Sequence, residues 1–81
     1  MNSVTIIYKV YGCNEEGKPI LNAEFWDFRE ACYYAVAQHG KIHYSLPEVE
    51  KHTYIYDSKC KSVSHESETS SPEQIYYMNR I

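Results

Sequence analysis

Val4, Ile6, Tyr8 and Val10 alternate with Thr5, Ile7, Lys9 and Tyr11, a period of two that predicts a β-strand. β-Branched and aromatic residues dominate the segment, as a pleated surface favours. Ile7 and Tyr11 keep its second face partly apolar, which predicts a central position in a sheet. Residues 12–19 then carry turn chemistry: Gly12, Asn14, Gly17 and Pro19, the last unable to donate to a ladder. Extended character resumes over residues 20–26. Leu21, Ala23 and Phe25 share one face, and Ile20, Asn22, Glu24 and Trp26 the other. The two segments together predict an antiparallel hairpin.

The period changes at Asp27. Phe28, Ala31, Cys32, Ala35, Val36 and His39 fall on one side of a helical wheel, so a helix is predicted over residues 28–39. Asp27 is placed to cap it, Glu30 completes a capping-box-like pattern, and Gly40 offers a left-handed stop. The packing face is made of small residues and can lie close on a sheet. Arg29, Glu30, Tyr33, Tyr34 and Ala37 point elsewhere.

Beyond the helix the pattern weakens. Pro47 interrupts a possible extended start at Ile42 and Tyr44, so residues 41–51 read as a loop or a single helical turn across Pro47-Glu48-Val49-Glu50. His52, Tyr54 and Tyr56 alternate with Thr53 and Ile55, predicting a strand. Asp57-Ser58-Lys59 is a turn, and Cys60 to His65 is its weak hairpin partner. Residues 64–71, rich in Ser, Thr and Glu with no large apolar side chain, read as a mobile loop. Ser71, Pro72 and Gln74 form a helix start, with cap, proline at the first helical position and glutamine at the third. Ile75 to Met78 would make a short C-terminal helical turn. The sum is a single α+β domain over residues 1–81: a two-layer, ββαββ-like arrangement with one main helix on an antiparallel sheet.

Composition narrows the chemistry. Eighty-one residues allow one core, and a chain this small is marginally stable. The net charge of −3 argues against a phosphate-tracking surface, which needs a basic excess. Three cysteines, Cys13, Cys32 and Cys60, match neither a disulfide framework nor a paired metal knuckle, and predict free thiols in a reducing cytoplasm. Residues 1–5 have no basic, apolar leader pattern, and no run is long enough to predict a membrane span.

Candidate catalytic sets are thin. His39 and His43 straddle Gly40 and lack a cysteine pair, so no metal site is expected. Cys32 lies on the packing face of the helix, where a thiol is normally filler, and no spacing supplies a Cys–His enzyme with its orienting group. Glu15, Glu16, Glu48, Glu50, Glu66 and Glu68 read as solvated turn or loop charges. The three glycines sit at turns or a cap and form no phosphate loop, and no cofactor is expected.

Binding is better served. Nine residues are tyrosine, several of them paired, and tyrosine suits surfaces that are buried only when something docks. Tyr33 and Tyr34 on the outer helix face and Tyr76 and Tyr77 near the tail are the expected partner contacts. Glu15 and Glu16 would steer a basic partner. A homodimer or a tight complex with another protein is the expected state. The alternative is a single-stranded nucleic-acid binder, stacking bases on Tyr54 and Tyr56 with Lys59 and Lys61 alongside. In its small size, mild acidity, single helix on a small sheet and lack of a catalytic set, the chain resembles the inhibitors that bacteriophages encode against host factors and defence systems, CRISPR–Cas included. That resemblance implies a non-enzymatic protein that blocks a macromolecule sterically in the host cytoplasm. It transfers no residue roles.

Overall fold

The computed structural model describes residues 2–13, 16–39 and 48–80, with Cys13 and His39 described by their backbone alone. The elements follow in the order β1 (Asn2–Cys13), β2 (Pro19–Phe25), α1 (Phe28–His39), β3 (Val49–Asp57), β4 (Ser62–Ser70) and α2 (Pro72–Arg80). The fold is a small α+β domain. Its antiparallel sheet has the strand order β2-β1-β3-β4, so the two hairpins join through their first strands and β1 is central, as its two-sided apolar pattern predicts.

Register assigns the two faces of the sheet. Tyr8 lies opposite Lys51 and Phe25, and Ile7 lies opposite His52. Because successive side chains alternate, Tyr8, Val10, Phe25 and Val49 share one face, and Ile7, Lys9, His52 and Tyr54 share the other. Helix α1 packs on the first face: Phe28 sits 5.4 Å from Tyr8 and Tyr34 sits 5.3 Å from Phe25, ring centre to ring centre. Ala31, Cys32 and Ala35 are fully buried with Val10, Val49 and Ile75. The small residues predicted for the packing face do let the helix settle closely on the strands.

Asp27 caps α1, its Oδ2 accepting the Glu30 amide at 3.2 Å. Asp27→Ala is expected to destabilise the fold by about 0.5–2 kcal/mol through the orphaned amide. Thermal melts of the two proteins check this; coincident curves would dismiss the cap.

Helix α2 extends nine residues, longer than the single turn predicted. Its start is a reciprocal capping box: the Ser71 amide donates to Gln74 Oε1 at 3.2 Å, and the Gln74 amide to Ser71 Oγ at 3.3 Å. The helix continues because it has something to pack on. Ile75 is fully buried, Met78 packs against the core, and Asn79 Nδ2 donates to the carbonyls of Cys32 (3.2 Å) and Ile75 (2.8 Å), tying α2 to α1.

Three other expectations are corrected. Residues 64–71 are no loop: Ser62–Ser70 form β4, paired along its whole length with β3. The strand shows no hydrophobic alternation because it is exposed through to Thr69, so neither face selects apolar residues. Val49 and Glu50 begin β3 and form no helical turn, and residues 41–47 of that predicted loop lie outside the described residues. The alternation expected across residues 20–26 breaks at Asn22, where a β-bulge sets Ala23 opposite Val10 but Leu21 opposite Tyr11. Leu21 is therefore exposed, and the Asn22 amide nitrogen is buried without a hydrogen-bond partner.

Candidate functional site

Both helices contribute to the core on the Tyr8–Val10 side. Among the described residues, no helix covers the other face of the sheet. That open face carries Ile7, Lys9, Glu24, Glu50, His52, Tyr54, Tyr56, Val63 and His65 by register. Trp26, just past the end of β2, is 76% exposed. Beside it Ile7, Glu24, Phe25 and Trp26 line a shallow hollow of about 190 Å³.

The centre of this face is a continuous polar row. His52 is almost fully buried, at 7% exposure, although no helix among the described residues lies over it. Its Nε2 is 2.8 Å from Glu50 Oε1, two residues back on the same strand. Its Nδ1 is 2.7 Å from Nε2 of His65, which reaches across diagonally from β4. The His65 ring in turn lies flat against Tyr54, its direct cross-strand partner, with centroids 4.4 Å apart and planes 7° apart. Lys9 lies opposite Glu50 in the β1–β3 register. Burial pulls the Lys9 ammonium down, but Tyr54, which also hydrogen-bonds it, Tyr11 and Glu24 outweigh that and hold it above the usual lysine range.

The predicted site residues divide. On α1, Tyr33 faces out at 42% exposure, but Tyr34 packs on Phe25 and belongs to the margin of the core. On α2, Tyr77 is 63% exposed while Tyr76 is half-buried. Adjacent residues on a helix are about 100° apart, so one member of each pair turns inward. Phe28, Glu73, Gln74, Tyr77 and Met78 line a groove of about 310 Å³ between the helices. Glu16 is exposed, 3.9 Å from Lys18, and Glu15 lies outside the described residues. Tyr54 and Tyr56 do share the open face, but the Tyr54 ring already has one side covered by His65. Lys59 and Lys61 sit in the β3–β4 turn, where Asp57 Oδ1 accepts the Lys59 amide at 2.9 Å.

Sequence inspection missed Trp26, Val63 and the Glu50–His52–His65 row. Alternation did put His52 on a face with Tyr54, but His65 was assigned to a weak strand running into a loop, so no register connected the two histidines. Among the described residues no three His, Cys, Asp or Glu side chains are grouped to hold a metal ion. No helix among them is long and apolar enough to cross a membrane. Comparisons with known protein families, curated proteins and solved structures find no match to the chain.

Proposed function

We propose that this chain is a non-enzymatic protein-binding module whose open sheet face docks on a partner protein and blocks it sterically. The observation that supports this reading is the face itself, which no helix covers among the described residues. A sheet is ordinarily either sandwiched or polar on its wet side. Here that side combines Ile7, Trp26, Tyr56 and Val63 with a few fixed polar groups, the composition of a protein interface. Lys9 is matched by Glu24 and Glu50, which suits a protein surface of mixed charge better than a run of phosphates. The upright Tyr54–His65 stack leaves less ring surface for a base than the nucleic-acid alternative needs. A small inhibitor acting in a host cytoplasm, as the phage-protein resemblance implies, fits this reading, with a second copy of the chain as the other occupant of the face.

Trp26→Ser with Tyr56→Ser tests it, because both side chains are largely exposed and the fold should survive their loss. Affinity capture by the wild-type chain is expected to retain a protein that the double variant loses. Truncating an aromatic anchor typically costs about 2 kcal/mol or more, roughly thirtyfold in affinity. Light scattering reports whether the partner is a second copy. Retention by this variant but loss in Tyr33→Ser with Tyr77→Ser would move the interface to the helices. Sub-micromolar oligonucleotide binding at physiological salt would replace the reading with the nucleic-acid one.

A further inference from the structure

We infer that the His52–His65 pair is an acid-sensitive latch that holds strand β4 on the sheet and releases it when both rings carry a proton. The geometry is specific. The two facing nitrogens are 2.7 Å apart while the ring centroids are 4.9 Å apart, and the planes differ by 22°. The difference between those separations is about one imidazole width, so the rings meet edge to edge with their nitrogens head-on. Two ligands of one metal ion would instead converge at an angle on a point between them. A head-on contact this short is a hydrogen bond with a single proton in it.

The proton inventory follows from the neighbours. Glu50, as a carboxylate, only accepts, so His52 donates Nε2–H to it. A neutral His52 then presents a bare Nδ1, and His65 donates its Nε2–H to that nitrogen. One added proton enters at the free Nδ1 of exposed His65, and every bond in the row survives. A second added proton puts N–H against N–H, and the bond between the strands is lost. The surroundings do not absorb that charge fully. Among the described residues Glu50 is the carboxylate in contact with the pair, while Lys9, opposite Glu50, adds a cation. Glu24 lies opposite Lys9, one strand further away. Ile7 and Ser67, which flank His52 in register, and Tyr54 against His65 are uncharged, and Glu66 and Glu68 point to the other face of β4.

The released element is β4 because it has little else holding it. From Ser62 to Thr69 its side chains are exposed, and beyond the ladder to β3 the His52–His65 bond is its shortest side-chain tie. The unfolded chain takes up both protons freely, whereas the latched state takes only one. Once the pair must take its second proton, folding stability therefore falls with further acidification, towards a tenfold loss in the folding equilibrium constant per pH unit.

Urea titrations of the full chain between pH 7.5 and pH 5 test this on the wild type and on His65→Gln. Glutamine both donates and accepts, so it keeps a bond to either protonation state of His52. The wild type is expected to lose stability across this range as the pH falls, and His65→Gln to lose most of that dependence. Equal slopes in the two proteins would overturn the latch. Amide exchange of the wild type, corrected for intrinsic rates, covers the case in which the variant does not fold. Acceleration at pH 5 confined to residues 49–57 and 62–70, with α1 unchanged, supports strand release; uniform acceleration overturns it.

Discussion

Replacing Ile75 with alanine is expected to leave little folded protein at 25 °C. Ile75 is the largest fully buried side chain among the described residues and brings α2 into the core with Val10, Val49 and Cys32. Truncating a buried isoleucine to alanine costs about 2–5 kcal/mol, because the lost transfer energy is joined by an unfilled cavity. A core of this size rarely supplies more than about 3–5 kcal/mol in total. One substitution in α2 therefore removes most of the stability of the sheet whose Val10 and Val49 share its core. Urea denaturation followed by circular dichroism measures it, with Ile75→Val expected to cost only about 0.5–1.5 kcal/mol. A melting temperature lowered by less than about 8 °C in Ile75→Ala would show that α2 is not needed for the fold.

The second large effect is chemical. Cys32 is buried under α1, and its thiol is pushed up to about 11, first by loss of solvation and then by the nearby Asp27 charge. At pH 8 about one Cys32 in a thousand is a thiolate, and the thiolate is the species that reacts. Cys60 is exposed in the β3–β4 turn. Alkylation at pH 8, mapped by mass spectrometry, is expected to modify Cys60 at least a hundredfold faster than Cys32. In denaturant that contrast should vanish. Comparable native rates would mean that the α1–sheet contact opens far more often than its packing implies.

The parts of the fold that were legible in the sequence are those where one face is buried and the other wet. The small-residue stripe Ala31, Cys32 and Ala35 announced α1 and its packing side, and Asp27 with Glu30 its start. Ser71, Pro72 and Gln74 announced α2, because capping is a local hydrogen-bond pattern with its own residue code. Strand β4 was legible only over its first half, where Cys60 to His65 reads as the hairpin partner of β3; the rest was hidden for the opposite reason. It contributes nothing to the core, so no hydrophobic period marks it, and only its partner β3 reveals that it is extended. The helical wheel places Tyr34 off the packing face, but the ring of Phe25 reaches round to meet it. The open face was half visible. Alternation placed His52, Tyr54 and Tyr56 together, but no local rule says which face a helix will cover. The polar row across it depends on a diagonal contact between two residues thirteen apart in the chain, on neighbouring strands.

Strand β4 has a further consequence, for how the molecule behaves when crowded. It ends the sheet with a row of unpaired backbone groups, the usual template for strand-by-strand growth into aggregates. If two copies met antiparallel with Glu66 at the centre, Glu66 would oppose Glu66 and each Glu68 would oppose a Ser64. The four carboxylates would then crowd one side of the new ladder. The same scarcity of apolar residues, Val63 apart, that hides most of the strand from sequence inspection thus makes it a poor seed for polymerisation. A single charge-removing change such as Glu66→Val would leave an uncharged Ser-Val-Ser-His-Val-Ser run along this edge and, in that pairing, remove two of the four carboxylates.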